Sequence, residues 1–248
     1  MGARWVARGR GAPVTLVVPG LGATEGEARI PASGLPGTRV VVTLPGHGSA
    51  QDAPEGYWDY GTIAADVRAV ADEVGATRAV GVSLGAGALT RIAAEEPDRF
   101  ERLALLLPAA LDRPRGATAT AAYARLAEAV DRAGTDGGRR LREVLAAEVP
   151  DGVSVGDHVE RRAEALLRLG AALRELPGRA PLADAAALAG VDAEVLVVGA
   201  TEDPLHPAEV AEAVAGAFPR AGLELLPSMA PMLTHRARMR ALLTGWAE

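Results

Sequence analysis

Short unbroken apolar runs, each closed by Gly or Pro and each followed by a longer stretch of helical periodicity, constrain this chain more than any other feature. The runs fall at residues 14–18, 39–44, 78–82, 103–107, 194–199 and 223–226. A strand covered on one face alternates apolar with polar residues. One that reads Val and Leu without interruption is covered on both faces, as a parallel strand between two helix layers is. The stretches between the runs supply those layers. Ile63, Val67, Val70 and Val74 lie along one helical face, and Gly75 is placed to end that helix. Leu84, Ala88, Leu89 and Ile92 share a face of a second helix that Pro97 stops. Residues 208–218 and 236–246 carry further helical patterns. Strand alternating with helix predicts an α/β fold built on a doubly wound, mostly parallel sheet. Residues 5–7 are a weak candidate for an edge strand.

The alternation breaks between Leu111 and Val191. No convincing strand lies there, only helical patterns at 117–133, 139–149, 159–176 and 182–188, with loop signals at 113–120 and 134–138. The expected organisation is a core from 1–111 and 191–248, with a helical insertion at 112–190 over one end of the sheet. A chain of 248 residues, 49% hydrophobic and 23% charged, is long enough to bury one α/β core with such an insertion.

Missing letters close several chemistries. There is no Cys, so disulfides, thiolate nucleophiles, iron–sulfur clusters and Cys-zinc sites are excluded. All 26 basic residues are Arg, which removes a phosphate-loop Lys and any Schiff base. No pair among the 4 His has metal-ligand spacing, and no cofactor is expected. A net charge of -6 and a pI near 5.4 speak against a nucleic-acid partner. No apolar stretch approaches the roughly 18 residues of a membrane helix. Arg4, Arg8 and Arg10 are not followed by the apolar region of a signal peptide. The expectation is a cytoplasmic protein acting on a small molecule, with its oligomeric state open.

One segment carries chemistry. Arg78-Ala-Val-Gly-Val-Ser-Leu-Gly-Ala-Gly87 is a buried strand, then Gly81-Val-Ser83-Leu-Gly85, then a helix. A Ser on a sharp strand-to-helix turn sits in strained backbone, so its neighbours must be small. The turn lifts the hydroxyl above the sheet and aims a helix N-terminus at a developing oxyanion. Tyr57, Trp58 and Tyr60 form an aromatic cluster that reads equally as a pocket wall or as packing of a loop against the sheet. Arg139-Arg140 and Arg161-Arg162 read as solvated helix faces, with carboxylate binding as the weaker alternative.

At this segment the chain resembles the α/β-hydrolase superfamily, and the likeness runs through nearly its whole length. Val14-Thr-Leu-Val-Val-Pro-Gly-Leu-Gly22 resembles the strand and oxyanion loop of that family, and Leu44-Pro-Gly-His-Gly-Ser49 its following loop. Glu96-Pro-Asp-Arg-Phe-Glu-Arg-Leu103 looks like the approach to the next strand, and Glu194-Val-Leu-Val-Val-Gly-Ala-Thr-Glu-Asp-Pro204 like the strand that presents the catalytic acid. The helical insertion falls where the family carries a cap. The resemblance implies Ser83 as nucleophile, the amides of Leu21 and Leu84 as oxyanion hole, and Asp203 as the acid, with Asp112 a weaker alternative.

The same resemblance implies a gap. Aligning Pro231 in Leu226-Pro-Ser-Met-Ala-Pro-Met-Leu233 puts Met229 where the family has its His, and a thioether accepts no proton from Ser83. His206 reads as a loop or rim residue and His235 as a surface residue, each a weaker candidate for a displaced base. His47 reads as a brace near the oxyanion loop. The expectation is therefore that no His ring bridges Ser83 and Asp203, and that Met229→His gains esterase activity. The implied activity is that of an enzyme for an ester, lactone, thioester or amide with an incomplete triad. The alternatives are a non-hydrolytic epimerase, isomerase, lyase or cyclase, in which Asp203, desolvated and without an imidazole, acts alone as acid or base, and a ligand-binding pseudo-hydrolase.

Overall fold

Parallel pairing of the apolar runs builds the molecule. The computed structural model describes residues 2–248. In chain order the elements are β1 (Arg4–Gly9), β2 (Val14–Val18), α1 (Glu25–Ala28), β3 (Thr38–Thr43), α2 (Tyr60–Val74), β4 (Arg78–Val82), α3 (Leu84–Glu95) and β5 (Arg102–Leu106). There follow α4 (Ala117–Asp136), α5 (Arg139–Ala146), α6 (His158–Leu167), α7 (Gly170–Glu175), β6 (Glu194–Ala200), α8 (Ala208–Ala217), β7 (Ala221–Leu226), α9 (Pro231–Thr234) and α10 (Arg236–Ala247). The strands form a 7-stranded sheet in the order β1-β3-β2-β4-β5-β6-β7. Only β1 runs antiparallel, paired along β3 from Arg4↔Thr43 to Gly9↔Thr38, so the weak 5–7 signal is a full edge strand.

Alternation along the strands divides the core between the two faces of the sheet. Leu103 and Leu105 pack with Ile63 and Val67 of α2, Leu89 and Ile92 of α3 and Val214 of α8. Ala104 and Leu106 point the other way, onto Met239, Leu243 and Trp246 of α10. Gly75 ends α2 in the left-handed conformation, φ 62°, as the sequence predicts. At the far end of the sheet, Arg78 and Arg102 donate to the carbonyls of Ala247 and Trp246, which supplies partners for the open C-terminus of α10.

The helices between β5 and β6 depart from the predicted bounds: the 139–149 pattern ends at Ala146, the 182–188 pattern is a single 3-10 turn at Ala185–Leu188, and two further departures have a visible cause. α4 runs through the expected 134–138 loop as far as Asp136, and Gly137 and Gly138, at φ 63° and 74°, make the break. The 159–176 pattern is two helices. Arg168, at the break, donates to the carbonyls of Gly48 and Ala50 and to Asp52, while Leu169 is fully buried. Those two anchors take priority over helical continuity.

Register gathers the loops that matter. Val18 lies opposite Gly81, Val82 opposite Leu106, and Leu106 opposite Val198. The segments that follow β2, β4, β5 and β6 therefore emerge side by side at the carboxyl edge of the sheet, where open α/β sheets bind ligands.

Candidate active site

Ser83 follows β4 directly and opens α3, with φ 50° and ψ −105°, a conformation that L residues rarely adopt. The flanking glycines permit it. A Cβ on Gly81 would lie 2.6 Å from the backbone of Gly85, and a Cβ on Gly85 would lie 2.2 Å from the carbonyl oxygen of Val18. Both positions exclude any side chain. The amide of Leu84 belongs to the first turn of α3, where N–H groups lack intrahelical acceptors, and Leu21 lies on the loop after β2. Ser83 and Leu21 border a cavity of about 580 Å³.

A tight turn completes the arrangement. In Asp203-Pro204-Leu205-His206 the amide of His206 donates to the carbonyl of Asp203, closing a four-residue turn with Pro at its second position. Such a turn brings its first and fourth residues together. The Asp203 carboxylate accepts from the Leu205 amide at 2.8 Å and from His206 Nδ1 at 2.7 Å, and His206 Nε2 lies 2.8 Å from Ser83 Oγ. Burial pushes the Asp203 carboxyl up, but the charge and hydrogen bond of His206 and the amides of Leu205 and His206 outweigh it and hold the group below the usual carboxylate range. An ionised carboxylate only accepts, so Nδ1 carries the proton and Nε2 is free to accept from the Ser83 hydroxyl.

This geometry overturns two expectations. A His ring does bridge Ser83 and Asp203, and it is His206, not a residue after β7. Asp203 is not a lone desolvated acid either, because it has an imidazole partner and its carboxyl is shifted down. Met229 is 36% exposed and lines the same cavity, while the imidazole comes from the loop after β6. The gain predicted for Met229→His no longer follows. His235 sits before α10, with Nδ1 2.8 Å from Thr234 Oγ1, and neither it nor Asp112 lines the cavity.

His47 is 2% exposed. Its Nδ1 donates to the carbonyl of Pro45 at 3.1 Å, and its Nε2 accepts from the amide of Gly22 at 3.0 Å. Burial lowers its pKa to about 4, so the ring is neutral and holds the 19–22 loop against the 44–49 loop. Tyr57, Trp58 and Tyr60 are each at most 3% exposed and lie outside the cavity lining. Of the two readings of that cluster, packing is the one observed. The remaining lining is largely apolar, with Leu126, Leu145, Leu166 and Leu173 from the helices between β5 and β6. Among the described residues no group of three or more His, Asp or Glu is placed to hold a metal ion, and no helix is long and apolar enough to cross a membrane. The charged lining also includes Glu27, Arg125, Glu143 and Glu148, which sequence reasoning did not name, and Arg162, for which carboxylate binding was the weaker of two readings.

A model of the alpha/beta hydrolase family matches residues 15–241, and the chain belongs to that family. Solved structures agree on the fold. A hydrolase from Pseudomonas aeruginosa PA01 aligns with a TM-score of 0.76 at 21% identity, over 98% of this chain and 93% of that one. A thermophilic esterase from Thermogutta terrifontis aligns at 0.71 and 21%, over 97% and 91%. A meta-cleavage product hydrolase from Pseudomonas fluorescens IP01 aligns at 0.75 and 19%, over 98% and 93%. No curated protein matches the chain by sequence.

Proposed function

We propose that the protein hydrolyses an ester or a related acyl compound through Ser83, His206 and Asp203. The observation that carries this reading is the imidazole of His206 within hydrogen-bond distance of both partners, 2.8 Å from Ser83 and 2.7 Å from Asp203. Ser83 Oγ attacks the carbonyl carbon and passes its proton to His206 Nε2, while Asp203 holds the other ring nitrogen and stabilises the imidazolium. The amides of Leu84 and Leu21 receive the oxyanion. As the tetrahedral intermediate collapses, the leaving group takes the proton from Nε2 and an acyl-Ser83 ester remains. Water, deprotonated by the same nitrogen, then releases the acid and regenerates the hydroxyl.

The helices α4–α7 act in this reading as a cap that excludes water and shapes the pocket. Steady-state hydrolysis of an activated aryl ester tests the proposal. Ser83→Ala abolishes turnover, and His206→Ala lowers kcat/KM by roughly 10²–10⁴, the usual contribution of a positioned general base. Turnover that survives Ser83→Ala contradicts the reading.

A further inference from the structure

The cavity is lined by charges from both sides, and most of them are already paired. Asp203 is held by His206. Glu27 accepts from the Thr24 amide at 2.7 Å and pairs with His158 Nδ1 at 3.0 Å across the seam between α1 and α6. Glu143 pairs with Arg139 and Arg140 on its own helix. Arg125, Arg162 and Glu148 remain. None has a side-chain hydrogen bond or an ion pair among the described residues. Arg125 is exposed at the rim, whereas Arg162 and Glu148 are half-buried in the wall.

The two uncommitted groups in the wall are not equivalent. Burial pushes the Glu148 carboxyl up and Asp203 adds to it, against the pull of Arg162, His206 and His158. Glu148 is therefore drawn toward its neutral acid. Arg162 presents five donors in a planar fork. It lines the cavity together with Leu21 of the loop after β2, Glu27 and Glu148. Among the described residues its guanidinium makes no ion pair and no side-chain hydrogen bond, so its donors are open to a ligand.

We propose that Arg162 is a specificity-determining residue for acyl substrates that carry a second, anionic carboxylate. This inference rests on the hydrolase reading and deepens it. The guanidinium takes the carboxylate through two parallel N–H···O bonds, and Glu148 borders the same cavity. The apolar walls take the hydrocarbon between the two ends of the substrate. An ammonium group fits poorly, because Arg162 repels it.

The test is a matched pair of aryl esters, the half-ester of a medium-chain dicarboxylic acid and the ester of the monocarboxylic acid of equal length. A second pair places the carboxylate on the alcohol half. The wild type should favour the charged member of at least one pair in kcat/KM, by on the order of tenfold. Arg162→Gln should collapse that ratio toward one and Arg162→Lys should retain part of it; the ratio cancels any general loss of activity. Separately, the free dicarboxylate should raise the Tm of the wild type and not that of Arg162→Gln.

Turnover of the neutral esters with no preference for either charged member overturns the Arg162 proposal and leaves the hydrolase reading standing. No turnover of any ester, with no labelling of Ser83 by a fluorophosphonate, is instead a failure of the hydrolase reading. The Tm shift then decides the Arg162 proposal alone: its absence overturns the carboxylate site, and its presence supports it.

Discussion

The position of one imidazole decides how this molecule is read. His206 reaches Ser83 because a four-residue turn, begun by Asp203 and made stiff by Pro204, folds the fourth residue back over the first. That signal is present in the sequence: Asp then Pro is a turn-opening pair, and three residues is the separation such a turn closes. A search for the base only after the last strand, where the resemblance implies a His and the alignment on Pro231 gives Met229, hides it. Met229→His should therefore change kcat/KM less than about tenfold, because Ser83 already has its acceptor. The measurement is steady-state kinetics on the same aryl ester, and a large gain would show that His206 is not serving Ser83. Arg162 was only partly legible, carboxylate binding being the weaker reading of its double Arg. A double Arg on a helix reads as a solvated face, and only the packing of α6 against the loop after β2 turns one of the two inward.

At the scale of elements the sequence is far more transparent. The apolar runs pair as parallel strands because strands buried on both faces admit no polar residue, and that leaves a mark in the sequence. The helix ends at Gly75 and before Pro97 were legible for the same local reason, a backbone conformation or a missing donor. The split between α6 and α7 was not, because its causes are a buried Leu169 and the distant carbonyls of Gly48 and Ala50. The junction of β4 and α3 makes a steric prediction. Gly85→Ala places a methyl carbon 2.2 Å from the carbonyl oxygen of Val18. The variant should lose roughly 3 kcal/mol, read as a lowered urea midpoint. An unchanged midpoint would mean that β2 and α3 do not approach as described.

For the whole molecule, the loops at the carboxyl edge of the sheet are tied together by a neutral His47, and this gives stability a pH dependence. Its folded pKa, about 4, lies below the ordinary 6.5, so the unfolded chain takes up this proton first. The contribution is complete above pH 6.5 and is lost as pH falls from 6.5 toward 4. Its size is on the order of 3 kcal/mol. Urea unfolding across that window should show a steeper loss for the wild type than for His47→Gln. Equal slopes would place the acid sensitivity elsewhere. The proposed activity needs all of these scales together: register to gather the loops, glycines to admit the elbow, and the Asp203 turn to deliver the base.

The most direct test is the rate at which a fluorophosphonate modifies Ser83. This reaction needs the nucleophile and its base and is independent of the physiological substrate. The account predicts that labelling maps to Ser83 and that His206→Ala slows it by about 10²-fold or more, with the variant's circular dichroism unchanged. Labelling of a folded His206→Ala protein at the wild-type rate would contradict it, because Ser83 would then be activated by something other than His206.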